Sequence, residues 1–120
     1  KFETQWGNMA RPCGLYVDQR RDQTGDQTVY VGELGVAILP NAQASGLGPR
    51  VNIMDINGNT LTRLGDLPEG EEPGRFIAPH GICIDSRGDI YVAEVSWTNT
   101  GRHLDPPREV RSLQKLIRQT

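Results

Sequence analysis

An internal repeat constrains this chain more than any other feature. Pro12-Cys-Gly-Leu-Tyr-Val-Asp18 recurs as Pro79-His-Gly-Ile-Cys-Ile-Asp85, with Pro, Gly and Asp matched at an offset of 67 residues. Val29-Tyr-Val-Gly-Glu33 recurs as Ile90-Tyr-Val-Ala-Glu94, with Tyr, Val and Glu matched at an offset of 61. Arg50 and Arg111 keep that second offset. The difference falls between Asp18 and Tyr30, where residues 20–27 read as a longer, polar turn. A repeated unit of this size buries its apolar surface against its neighbour, so the chain is read as two stacked copies of one supersecondary unit.

Each copy reads as β-strands. The apolar runs are short: 14–17, 28–34, 51–56, 60–64, 81–84 and 89–95. Most alternate apolar and polar residues, and Gly, Asn, Asp or Pro bounds them. Asn57-Gly58 marks a tight hairpin between two of these runs. With 14 Gly and 8 Pro among 120 residues, the pair stands well above its usual share of ~12%, as a turn-rich chain requires. The first copy holds four strands, a to d. The second holds a, b and, from the repeat, a strand c at about 111–118. Phe2-Glu-Thr-Gln-Trp-Gly7 resembles the strand-d sequence Leu61-Thr-Arg-Leu-Gly65, so the strand order is d, abcd, abc. The fold class is all-β, in one domain.

The segment Phe76-Ile-Ala-Pro-His-Gly-Ile-Cys-Ile-Asp-Ser-Arg-Gly-Asp-Ile-Tyr-Val-Ala-Glu94 resembles the NHL-repeat β-propellers. That resemblance implies a β-propeller built of four-stranded blades. Blade one spans about 9–65. Blade two spans about 76–118 and is completed by strand 1–7. Within the family, Pro79-His80-Gly81 is similar to the peptidyl-hydroxyglycine amidating lyases, whose zinc is held by His residues on the propeller axis. His80 falls on that motif, and Cys13 stands at its place in blade one.

Propeller geometry puts the starts of strands a at one face, beside the central channel, together with the b–c loops. These loops, 35–49 and 96–109, are longer than the usual ~4–6 residues. The ligand-binding candidates are therefore His80, Cys13, Trp97, His103 and Arg102. Glu33 and Glu94 end strand b at the same face. Arg50 and Arg111 follow them by 17 residues, which reads as a structural ion pair between strands b and c in each blade; substrate carboxylates are the rival reading. Trp6 and Phe76 read as inter-blade core, and Cys83, within strand a, reads as core. Both thiols are expected free, because they occupy different positions of the repeat.

Two function classes follow. One is a scaffold that binds a peptide, a protein or a small-molecule ligand through this face. The other is a metal-dependent enzyme of amidating-lyase or lactone-hydrolase type, with His80 as a ligand to zinc or calcium. The sequence contains no GxGxxG, P-loop, GxSxG or HExxH. A net charge of −2 gives no basic footprint for nucleic acid, and no apolar run is long enough for a membrane span. No targeting segment is read, and the compartment stays open. Two blades do not close a propeller. A homo-oligomer is expected, with a trimer closed by exchange of strand 1–7 favoured over the C-terminal third of a longer six-bladed chain and over a dimer or tetramer with another closure.

Overall fold

The computed structural model describes residues 1–35, 48–65 and 69–119. It contains two antiparallel sheets, as the repeat predicts. The first has four strands in sequential order: β1 (Pro12–Arg21), β2 (Gln27–Glu33), β3 (Arg50–Asp55) and β4 (Thr60–Leu64). The second has three: β5 (Pro79–Ile84), β6 (Ile90–Glu94) and β7 (Leu113–Leu116). Between β6 and β7 lie a one-turn helix α1 (Ser96–Asn99) and a 3-10 turn, Gly101–His103. The tail forms a strand, as the repeat requires. Residues 1–7 form no strand, so they add none to β7 within this chain.

One five-residue turn closes three of the hairpins. Asp22-Gln-Thr-Gly-Asp26, Asp55-Ile-Asn-Gly-Asn59 and Asp85-Ser-Arg-Gly-Asp89 share it. In each, the Asp Oδ1 accepts the N–H two residues on, at 2.7 to 2.9 Å, and also the N–H four residues on. The Gly takes a φ near 90°, where a side chain is disfavoured. This locates the length difference between the copies. The turn expected over 20–27 is Asp22–Asp26, and the first hairpin carries paired strand residues further out before it. There Arg20 clasps Asp18 and donates from Nη1 to the Ser86 carbonyl at 2.8 Å, tying the two a–b hairpins together.

Strand pairing then defines two faces per blade. The front face of blade one carries Gly14, Tyr16, Tyr30, Val51 and Ile53; the back face of blade two carries Ile82, Ile84, Ile90, Val92 and Leu116. These meet around Phe76, which is fully buried. Burying such a ring contributes about 1.5–3 kcal/mol. Gly14 and Gly32 permit close approach. A Cβ on Gly14 would run into the His80 carbonyl oxygen, and one on Gly32 would touch Pro79 at 3.4 Å. The back face of blade one gathers Val17, Val29, Val31 and Met54, with Trp6 and Met9 laid over it.

Two core expectations are corrected. Cys83 alternates with Ile82 and Ile84, so it points to the front of blade two and is exposed. Trp6 packs on the back of its own blade, above Gly58, rather than between the two blades.

Candidate functional site

The site begins with a bulge that both copies share. Pro12 pairs with Glu33 and the next ladder pair is Gly14 with Gly32; Pro79 pairs with Glu94 and the next is Gly81 with Ala93. Cys13 and His80 are the extra residues. A bulge of this kind breaks the alternation of a strand and re-aims one side chain. Both side chains are exposed. Because Gly14 sits on the His80 carbonyl, the two bulges adjoin, and Cys13 and His80 flank that contact.

A buried glutamate holds each bulge. Glu33, with no exposed surface, accepts from the Ala10 N–H at 2.7 Å, from Arg50 Nε at 2.7 Å and from Asn52 Nδ2 at 2.9 Å. Glu94 accepts from the Ile77 and Ala78 N–H groups at 2.6 and 3.1 Å, and from Gln114 Nε2 at 3.5 Å. Ala10 and Ile77 each stand two residues before the Pro of their repeat. The shared role of the glutamates is therefore to clamp the chain as it enters strand a.

The expected Glu94–Arg111 pair is a correction. Arg111 instead donates to the carbonyls of Glu71 and Arg75, the latter at 2.9 Å. The reason lies in register. Glu33 pairs with Arg50 across the ladder, whereas the Glu94 N–H donates to the carbonyl of Ser112, so Arg111 stands one residue short of Arg50's place. Asn52 and Gln114 then occupy equivalent places, and both reach the glutamate of their blade. A slip of one residue reverses the face of every side chain in a strand.

The second b–c loop is held in place from several sides. Ser96 Oγ donates to the Arg111 carbonyl at 2.6 Å, and the Arg108 N–H donates to the Gly101 carbonyl at 3.2 Å. The Arg108 guanidinium reaches both carboxylate oxygens of Glu71, at 3.0 and 2.7 Å. Ile77, Ala78 and Val110 form an apolar floor with Leu34, Val95 and Leu104. Trp97 lies over Gly101 and stays 46% exposed. Arg102 and His103 are exposed neighbours, with Arg102 Nε donating to His103 Nε2 at 3.1 Å. The structure thus groups Trp97, Arg102 and His103 on one loop and Cys13 and His80 on adjoining bulges. The first b–c loop, expected over 35–49, lies at 36–47 outside the described residues.

Among the described residues no three His, Cys, Asp or Glu side chains gather where a metal ion would sit. A groove of about 500 Å³ opens beside Cys13, walled by Trp6, Met9, Leu15 and Val31. Sequence reading missed it because residues 1–7 were expected to be a strand elsewhere, whereas Trp6 packs over the turn at Gly58.

Residues 76–103 match the family model of the NHL repeat. That stretch, which spans β5, β6 and the loop after them, is similar to an NHL repeat. The match begins at Phe76 and ends at His103, so it includes the bulge at His80 and the exposed side chains of the loop. No curated protein and no solved structure matches the chain.

Proposed function

We propose that the chain is an NHL-type binding scaffold that takes a peptide or protein segment through the end carrying the bulges and the 96–109 loop. The observation that supports this is the exposure of Trp97 and Arg102 on a loop fixed by hydrogen bonds and an apolar floor. Trp and Arg are the residues most enriched where binding energy concentrates, and a fixed loop loses little freedom on binding. A peptide array probed with the wild type and with Trp97→Ala and Arg102→Ala tests the reading. Peptides retained by the wild type should be lost by both variants. Wild-type retention that neither variant reduces would place binding elsewhere.

The exposed imidazole of His80 on its bulge supports a second reading, a metal-dependent enzyme of amidating-lyase or lactone-hydrolase type. There the Nε2 or Nδ1 of His80 would ligate zinc together with donors from adjoining blades. Zinc titration by calorimetry decides it: the wild type should bind and His80→Ala should not. Equal binding by both removes His80 as a ligand.

A further inference from the structure

The 96–109 loop and the strand after it hold the segment ahead of blade two through two kinds of contact, and only one of them belongs to the repeat. Arg50 donates to the Asn8 carbonyl at 2.7 Å, and Arg111 donates to the carbonyl of Arg75, the residue 67 positions on, at 2.9 Å. Gln114 donates to the same carbonyl at 2.7 Å and accepts the Gly74 N–H at 3.1 Å. With the bond from Arg111 to the Glu71 carbonyl, these fix the backbone of residues 71–75. The carboxylate contacts are additional. Glu71 lies in the fork of Arg108, and Glu69 accepts from Thr100 Oγ1 at 3.4 Å. The residues 67 positions before them are Thr4 and Phe2, which carry no charge.

We propose that the 96–109 loop takes an acidic peptide segment, one of whose carboxylates displaces Glu71 from Arg108. Three observations carry the inference. First, Arg108 is placed independently of its ion pair. Its N–H is tied to the Gly101 carbonyl, and its own carbonyl lies 2.5 Å from where a Cβ on Gly101 would stand. Trp97 covers the same glycine and Arg102 follows it, so an indole and two arginines are gathered at one point of the loop. Second, the chain itself shows what this point accepts. A guanidinium grips a carboxylate through two parallel bonds, as Arg108 grips Glu71. The Arg108 hydrogen bonds, with the positive charges of Arg108 and Arg111, hold the Glu71 carboxyl below its ordinary value, so the position favours an anion. Third, the occupant is exchangeable. Arg108 is 56% exposed and Glu71 44%, and exposed pairs of this kind are weak. The backbone of residues 71–75 keeps its bonds to Arg111 and Gln114 when the carboxylate leaves. Residues 69–72, Glu-Gly-Glu-Glu, therefore act as an in-chain competitor for the segment that binds.

This inference rests on the binding-scaffold reading and names the partner of that same site. A peptide array that pairs acidic sequences with copies carrying Gln for Glu and Asn for Asp tests it. The array is probed with the wild type, Glu71→Gln and Arg108→Gln, each checked for folding by circular dichroism. The wild type should retain the acidic member of a pair over its amide copy. Glu71→Gln should bind acidic members about 1.5- to 5-fold more tightly, the range set by releasing an exposed ion pair, and should leave the amide copies unchanged. Arg108→Gln should lose the preference for acidic members. Should that variant unfold, Arg108→Lys replaces it; the charge stays but the fork is lost, so the preference should shrink. Equal retention of both members by the wild type overturns the proposal, as does a Glu71→Gln variant that binds acidic members no better than the wild type. In either case the scaffold reading stands if Trp97→Ala still abolishes binding. An array on which the wild type retains nothing overturns both.

Discussion

A double-mutant cycle across each glutamate tests the reading of the site's foundations. Glu33 is fully buried and Arg50 is 12% exposed, with Nε 2.7 Å from Oε2. Removing one member of such a pair leaves a buried charge without its partner, at a cost of about 3–5 kcal/mol. Glu33→Gln should reach that range, because it also weakens the acceptor for the Ala10 N–H and the Asn52 amide. Arg50→Gln leaves the carboxylate buried beside dipoles only and should cost a comparable amount. The double variant should cost less than the two together, with a coupling in the upper half of the ~0.5–3 kcal/mol seen for contacting groups. The matched cycle on Glu94 and Arg111 should be additive within about 0.5 kcal/mol, because the two side chains have separate partners. Urea unfolding of all seven proteins at one low concentration supplies the numbers; a constant m-value licenses the comparison, and low concentration keeps association from adding stability. Coupling above 1 kcal/mol between Glu94 and Arg111, or additivity between Glu33 and Arg50, would refute the assignment of the glutamate partners.

Other outcomes follow from the same geometry. Gly14→Ala drives a methyl group into the His80 backbone and should cost about 1–3 kcal/mol, whereas Gly81→Ala should stay within about 0.5 kcal/mol; equal costs in thermal unfolding would contradict the packing described. Hydrogen bonds from the Arg20 guanidinium hold the Asp18 carboxyl below its ordinary value of 3.8. Its stabilising contribution is therefore present above that pH and is lost as pH falls below it through the lowered folded-state value, and Asp18→Asn should flatten the acid limb of the stability curve. An acid limb unchanged in that variant rejects the assignment. Cys13 and Cys83 are both free and exposed, so a thiol reagent should modify two groups in dilute native protein; fewer than two means that one is covered. Exchanging the bulge residues, by Cys13→His with His80→Cys, should alter stability by no more than about 0.5 kcal/mol, and a larger loss on denaturation would mean that these side chains pack.

The strands were legible because alternation is a local signal. Val29–Glu33, Val51–Asp55, Thr60–Leu64 and Ile90–Glu94 all lie within strands, and the weak tail became one through the repeat. The bulge was only half legible. Pro-x-Gly is visible in the sequence, but the misregister at Cys13 and His80 depends on which residues oppose them. Register was the weakest point. Nothing local distinguishes Arg111 from Ser112 as the partner of Glu94, since the length of the loop before strand c decides it. The role of the glutamates was hidden for another reason: their common partners are backbone N–H groups at Ala10 and Ile77, which no residue type announces. The N-terminal segment forms no strand within this chain, where Trp6 packs over the turn at Gly58 although its sequence is locally like strand d.

The Pro-x-Gly unit separates the demands of packing from those of recognition. Its Gly must stay bare, because in blade one the neighbouring backbone occupies the space a side chain would need. Its middle residue is extruded by the bulge and touches the core of neither blade, so Cys and His replace one another there without a packing consequence. The entrance to the unit is fixed by a buried carboxylate, and burying that charge stabilises the fold little once its desolvation is counted. What the carboxylate supplies is position. It holds the N–H groups at Ala10 and at Ile77, two residues ahead of each Pro, so that the bulge forms at the same rung in both blades. The exposed residue can then differ from blade to blade while the backbone that presents it stays the same, which is what a surface assembled from repeated units needs if each unit is to contribute a different contact to one ligand.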